Sequence, residues 1–386
     1  MSDGLEGECS PRFSRVREVF AAAFASGAEL GAAVALTLDG APVVDLWGGF
    51  TDKPRTRPWS RDTLVNVYST TKGLLAACAH RLVDQGKLDV NAPAARYWPE
   101  LAQAGKERVT VGMLLDHSAG LPAVRETLPP EALFSWEAMT TALAAETPWW
   151  EPGTKHGYHP FTFGWLVGEV VRRASGKMPG RYFHDEIAAP LGLDAHIGLA
   201  AADDARCSDV RAARRDPAIR TTLFERLMAE PASMAARAFT NPLSMVMPET
   251  VTSRAWRGAE VPAANAHVTA RAVARFYGAL ARGGEVDGVR VLSERAVAAC
   301  LAERVRGQDL VLDVETRFSL GYMLSVPGAM FGPNSRAFGH PGAGGSVGFA
   351  DLDARVGFAY VTNRMGAHLQ IDPRATALID AVYASL

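Results

Sequence analysis

The chain has 386 residues, 48% of them hydrophobic, with a formal net charge of −2, enough apolar material for one large or two moderate domains. Near-neutrality argues against nucleic acid or an anionic membrane as a principal partner, and the apolar runs are too short and interrupted to span a bilayer. The acidic, polar start from Met1 to Glu8 lacks the basic and apolar segments of a leader. Cys9, Cys78, Cys207 and Cys300 form no C-x-x-C pair, so reduced thiols in a cytoplasmic setting are expected, rather than a disulfide frame or a zinc site.

Apolar positions Val16, Val19, Phe20 and Ala23 have helical spacing and predict a helix over 14–26 that Gly27 ends. Two β-prone runs, 32–38 and 41–47, flank Asp39-Gly40, a strong hairpin signal. The proline- and charge-bearing stretch 51–60 reads as a loop. It leads to Val67-Tyr68-Ser69-Thr70-Thr71-Lys72-Gly73, followed at once by the apolar run Leu74-Leu75-Ala76-Ala77-Cys78-Ala79. Good helix formers closing at Asp84-Gln85-Gly86, where the glycine supplies a left-handed cap, predict a buried helix with Ser69 at its mouth.

On a helix, Ser69 and Lys72 share a face about one turn apart. A hydroxyl is a poor nucleophile at its own pKa, and a lysine kept neutral by desolvation can take its proton. The helix N-terminus adds N–H groups where charge would develop on an attacked carbonyl oxygen. Ser-x-x-Lys alone is a weak pattern, since a serine cap and a solvated lysine produce it by chance. Here the helix behind it is apolar rather than amphipathic, which leaves the amine little water.

Beyond Gly86 the chain breaks at Asn91-Ala92-Pro93, and 109–122 reads as a short helix ending in a turn. From there to about Ala264 the sequence is helix-rich with proline breaks and no strand alternation. Strands return at 321–326, 347–352 and 356–363, and a last helix is expected over 373–384 with Pro373 in its first turn. Strands at both ends and helices between them predict an α/β (α+β) fold, an antiparallel sheet flanked by helices. Residues 1–68 and 265–386 would form a discontinuous α/β domain, and 69–264 a mostly α-helical domain carrying the nucleophile helix. The substrate pocket is expected between the two.

Three further stretches follow Ser69-Thr70-Thr71-Lys72 in order. They are Leu114-Leu115-Asp116-His117-Ser118-Ala119-Gly120-Leu121, Glu151-Pro152-Gly153-Thr154-Lys155-His156-Gly157-Tyr158-His159-Pro160, and Phe338-Gly339-His340-Pro341-Gly342-Ala343-Gly344-Gly345-Ser346. Together they resemble the serine β-lactamase and penicillin-binding superfamily, most of all its class C β-lactamase-like esterases, the family VIII carboxylesterases. The similarity covers nearly the whole chain. It implies a β-lactamase-like fold, with Ser69 as the acylated nucleophile, Lys72 as its general-base partner and Tyr158 as a phenol that shares in proton transfer. It also implies that His340-Pro341-Gly342 stands where the superfamily has Lys-Thr-Gly, and that the N–H of Ala343 joins that of Ser69 in an oxyanion hole. His340, Gly342 and Trp150 are the further candidates for contact with substrate.

Two departures bear on the substrate. Tyr-x-Asn of the superfamily becomes Tyr158-His159-Pro160, removing an amide, and the Lys-Thr-Gly lysine becomes His340, which is mostly neutral at pH 7. Both favour small neutral esters over penicillins. No metal or cofactor is expected, because His156 and His159 lie in a Pro/Gly-rich turn without a third ligand nearby. A β-lactamase, a D-aminopeptidase or DD-peptidase, or an acyltransferase would use the same site, and a non-catalytic binding protein is the reading from another class. Gly344-Gly345-Ser346-Val347-Gly348 also fits G-x-S-x-G, with Asp351, Asp353 and His368 following, but a nucleophile elbow needs a helix after its serine and a β hairpin is expected here.

Overall fold

The computed structural model describes residues 4–212, 223–326, 330–368 and 370–386. The first three residues of the acidic start and residues 213–222 of the expected helical insert lie outside the described residues. The strands β1 (Leu5–Cys9), β2 (Gly31–Leu38), β3 (Ala41–Gly49), β4 (Val305–Gln308), β5 (Glu315–Phe318), β6 (Met323–Leu324), β7 (Ala337–Pro341), β8 (Val347–Asp351) and β9 (Val356–Thr362) form one antiparallel sheet. Its spatial order is β1-β3-β2-β9-β8-β7-β6-β5-β4. At its centre β2 and β9 pair from Ala32 opposite Thr362 to Leu38 opposite Val356, joining the two ends of the chain. The expected hairpin turns at Asp39 and Gly40, whose φ values of 50° and 83° are the paired left-handed geometry that a tight hairpin requires.

Alternation along β2 sorts the core. Ala32, Val34 and Leu36 face one way, into a cluster with Val16 and Phe20 of α1 (Ser14–Ala25) and Leu378, Ile379 and Val382 of α5 (Pro373–Tyr383). Ala33 and Ala35 face the other way, into a cluster with α2 (Thr71–Asp84), α3 (Thr162–Ser175) and α4 (Ala270–Ala281). Small residues on that face let α4 lie directly on the sheet, with Gly278 and Gly357 in close approach. Each large apolar side chain fully buried in these layers is worth roughly 1.5–3 kcal/mol.

Every residue of α2 from Thr71 to His80 is buried. The helix ends as its sequence suggests: Gly86 has φ of 68° and donates to the Val83 carbonyl at 2.9 Å. Its N-terminus is fed by a tight turn, Tyr68–Thr70, rather than by an ordinary cap. A small sheet of Val65–Asn66, Ala195–His196 and His267–Val268 holds the chain just ahead of that turn, and its middle-chain strand falls in the stretch expected to lack strands. The strands of the large sheet all lie within 5–49 and 305–362, while α2 and α3 come from the intervening chain.

Other differences have local causes. Leu5–Cys9, Val305–Gln308 and Glu315–Phe318 carry Glu6, Glu8, Arg306 and Glu315 because they lie at or next to the sheet's edges, where one face is wet and no apolar run marks them. The run 321–326 begins in a turn, with Gly321 at φ of 91°, so that only Met323–Leu324 pairs. The last helix stops at Tyr383, with Asp372 as its cap. Among the described residues no helix is long and apolar enough to cross a membrane.

Candidate active site

Ser69 sits in the turn that opens α2 and is partly exposed, whereas Lys72, one turn on, is fully buried. The Lys72 amine lies 3.1 Å from the Ser69 hydroxyl and donates to the carbonyls of Pro160 at 2.6 Å and Ala263 at 3.0 Å. Burial holds its pKa well below the ordinary lysine value. A neutral amine has two N–H donors and one lone pair, and two of its three partners are carbonyls, which only accept. The lone pair therefore faces the one partner with a proton to give, Ser69. Gly164 on α3 makes this possible, since a Cβ there would stand 2.7 Å from the Ala263 nitrogen.

Tyr158 lies against the same amine, which sits 4.8 Å from its ring centroid. Burial raises its pKa and a hydrogen bond with Ser69 opposes that shift. Its main chain is clamped by Asp309, a buried carboxylate that accepts from the N–H of Tyr158 at 2.9 Å, of Val311 at 2.9 Å and of Leu312 at 2.9 Å, and from the Thr316 hydroxyl at 3.2 Å. Beneath Tyr158, His117 packs its ring at 5.1 Å with φ of 63° and accepts from the His159 N–H at 3.2 Å. His159 donates from Nδ1 to the Gly157 carbonyl at 2.7 Å and accepts at Nε2 from Leu121 N–H at 3.1 Å, so both ring nitrogens are spent on scaffold. Burial pushes its pKa down to about 3. His156 bonds Thr316 at 2.9 Å and lies on the far side of the same clamp.

The third wall is β7 and the turn after it. The Thr70 hydroxyl donates to the His340 carbonyl at 3.2 Å, tying the serine turn to β7. His340 donates from Nδ1 to the Pro341 carbonyl at 2.7 Å, which leaves Nε2 as an acceptor, buried and without a partner among the described residues. Burial pushes its pKa down to about 3, so the ring is neutral. Gly342 rests on the Val67 carbonyl, with a Cβ there coming within 3.1 Å of Thr70 Oγ1. That contact sets the turn beside Ser69, and the N–H groups of Ser69 and Ala343 have no acceptor among the described residues. Ser346 ends this turn, accepting Gly342 N–H at 2.6 Å, and leads into strand β8 rather than a helix.

Ser69, Lys72, Tyr158, His340, Gly342 and Ala343 thus converge. Trp150 does not join them through its polar group: its indole N–H goes to the Ser118 carbonyl at 3.2 Å and its ring packs edge-on against His159. Its neighbour Trp149 is the partly buried one that packs on the cluster containing Tyr158, Ala123 and Val311. Sequence reasoning missed Asp309 and the two carbonyls on Lys72. The first is one acidic residue in a polar hairpin, and main-chain atoms leave no residue-type signal. Among the described residues no group of acidic, histidine or cysteine side chains is placed to hold a metal.

This fold and this cluster define a serine hydrolase of the esterase/β-lactamase type. The chain belongs to the beta-lactamase family, whose model matches residues 16–381. It is 38% identical over 373 residues to the esterase/beta-lactamase LipL of Mycobacterium tuberculosis, covering 93% of this chain and 83% of that protein. Among solved structures, a family VIII carboxylesterase is 42% identical with a TM-score of 0.91, over 99% of this chain and 100% of the other. A penicillin-binding protein homologue from Caulobacter crescentus is 43% identical with a TM-score of 0.91, over 99% and 100%.

Proposed function

We propose that the protein is a carboxylesterase that hydrolyses small neutral esters through an acyl-enzyme on Ser69. The observation that carries this reading is the buried Lys72 amine at 3.1 Å from the Ser69 hydroxyl, its own two protons committed to carbonyls. Ser69 Oγ attacks the ester carbonyl as its proton passes to Lys72. Charge on the carbonyl oxygen is met by the N–H groups of Ser69 and Ala343. Tyr158, bonded to Ser69, relays the proton to the departing alkoxide, and water enters by the reverse path to free the acid.

Neutral esters are favoured because His340, where the superfamily has a lysine, is neutral and its Nδ1 proton is taken. Pro160 offers a carbonyl to Lys72 but no side-chain amide to substrate. A cytoplasmic setting fits the four unpaired thiols. The test is covalent. After a fluorophosphonate or a trapped p-nitrophenyl ester, peptide mapping should place the label on Ser69, and Ser69→Ala should lower kcat by on the order of 10⁴-fold or more. A label on Ser346, or none at all, overturns the reading, and turnover of a chromogenic cephalosporin faster than of any ester overturns the substrate class.

A further inference from the structure

The two N–H groups assigned to the oxyanion stand on separate parts of the chain, one in the turn before α2 and one in the turn after β7. The Thr70–His340 bond and the Gly342–Val67 contact join the two turns at their base, and the far side of the second turn, at Gly344, is anchored separately. One anchor is a side chain far along the sequence. Arg374, at the start of α5, is 13% exposed and lies under the turn that carries Ala343. Its Nη2 donates to the Gly344 carbonyl at 3.0 Å and to the Arg364 carbonyl at 3.0 Å. Its other nitrogens are taken by carboxylates: Nε by Asp372 at 2.8 Å and Nη1 by the fully buried Glu29 at 3.1 Å. Glu29 is itself held by the Tyr360 and Thr362 hydroxyls on β9.

The segment that Arg374 grips through Arg364 reaches both turns. Gly366 N–H donates to the same Gly344 carbonyl at 2.7 Å, and Met365 presses on Gly344, where a Cβ would stand 2.7 Å from Met365 Cγ. Met365 Sδ accepts from the Tyr68 hydroxyl at 3.5 Å, and Tyr68 is the residue before Ser69, held at φ of 44°. Gly344 and Gly345, at φ of 86° and 128°, give the turn a shape open to glycine, closed by the bonds from Gly342 N–H to the Ser346 carbonyl at 2.6 Å and from Gly345 N–H to the Gly342 carbonyl at 3.1 Å, while the Gly344 carbonyl ties it to its surroundings.

We propose that Arg374 is a positioning residue for the reaction: its planar fork, set by Glu29 and Asp372, fixes the Gly344 carbonyl and so aims the Ala343 N–H at the point that the Ser69 N–H also faces. This rests on the Ser69 reading above. A guanidinium can bridge two carboxylates and two carbonyls in one plane, and an ammonium cannot. Arg374→Lys therefore keeps the charge beside Glu29 and loses the aim.

The experiment compares wild type, Arg374→Lys and Ser69→Ala on a p-nitrophenyl ester and measures affinity for a phenylboronic acid, whose tetrahedral adduct places an oxygen in the oxyanion hole. Arg374→Lys should lower kcat by about 10- to 100-fold with KM within about twofold. Boronate affinity should fall by a matching factor, and the acid limb of kcat/KM, set by Lys72, should stay where it is. If the lysine variant does not fold, Glu29→Gln, which loosens the same fork, should show the same pattern in smaller measure. Wild-type kcat and boronate affinity in a folded variant overturn the proposal, as does a kcat loss with boronate affinity unchanged. Ser69→Ala separates the two readings: if it is inactive while Arg374→Lys is normal, only the positioning role falls, and if it is active, the nucleophile assignment falls first.

Discussion

Replacing Gly342 with alanine tests the oxyanion hole without touching a reacting group. A Cβ at this position would press into the Val67 carbonyl oxygen and stand 3.1 Å from Thr70 Oγ1. The first of these is main chain two residues before Ser69 and cannot rotate away. Restoring an ordinary carbon–oxygen separation requires the turn to retreat by about 1 Å, which carries the Ala343 N–H off the oxyanion. Misplacement on that scale costs on the order of 10²-fold, and loss of an oxyanion donor costs about 10²- to 10³-fold in kcat. The expected result is thus a kcat lower by about 10²- to 10³-fold on p-nitrophenyl acetate, with KM little changed. Overpacking of this kind costs about 1–3 kcal/mol, so the variant should remain folded at 25 °C, which circular dichroism and a thermal melt would check. A folded Gly342→Ala with kcat within about threefold of wild type would refute the placement of the oxyanion between these two turns.

In the proposed mechanism Lys72 acts as the neutral amine, so kcat/KM should rise with pH through its lowered pKa, with an acid limb well below the ordinary lysine range. Lys72→Arg, which stays protonated, should lose about 10⁴-fold at every pH, and a variant that regains turnover at high pH would contradict this. Asp309→Ala leaves the N–H groups of Tyr158, Val311 and Leu312 buried without an acceptor. At about 1 kcal/mol or more each, it should lose about 3 kcal/mol of stability in urea unfolding and lower kcat as Tyr158 shifts. Burial raises the Glu260 carboxyl from 4.5 to about 7, opposed only by its bond from Gly180 N–H at 2.7 Å. A folded-state pKa above the unfolded one means full stability below about pH 4.5 and a loss as pH rises to about 7. Glu260→Gln should therefore raise the thermal midpoint at pH 8, by up to about 3 kcal/mol of stability, and leave it unchanged at pH 4.

What could be read from the chain were the features whose cause is local. The α2 helix announces itself because its positions are buried whichever way they face, from Thr71 to His80, and the seven from Gly73 to Ala79 are accordingly all small or apolar. The β2–β3 hairpin follows from Asp39-Gly40, since only such a pair adopts left-handed φ twice running at little cost. The edge strands were hidden because pairing on one side and water on the other allow Glu6, Glu8 and Arg306, which break any apolar pattern. Asp309 was hidden because what marks it is four donors arriving from 158, 311, 312 and 316, a fact of tertiary structure alone.

The site was half legible for a related reason: much of its polar work is done by main chain. The proposed oxyanion donors are the N–H groups of Ser69 and Ala343, and the carbonyls of Pro160 and Ala263 take the protons of Lys72, whose pKa burial lowers. Main-chain groups are the same in every residue, so their trace in the sequence is indirect. It lies in the glycines that permit close approach, Gly342 against Val67 and Gly164 against Ala263. The same fact explains why Pro160 can stand where the superfamily has asparagine. The acceptor for Lys72 at 2.6 Å is the carbonyl, which proline keeps, so the exchange removes a side-chain amide and leaves the hydrogen bond that holds Lys72 beside Ser69 intact.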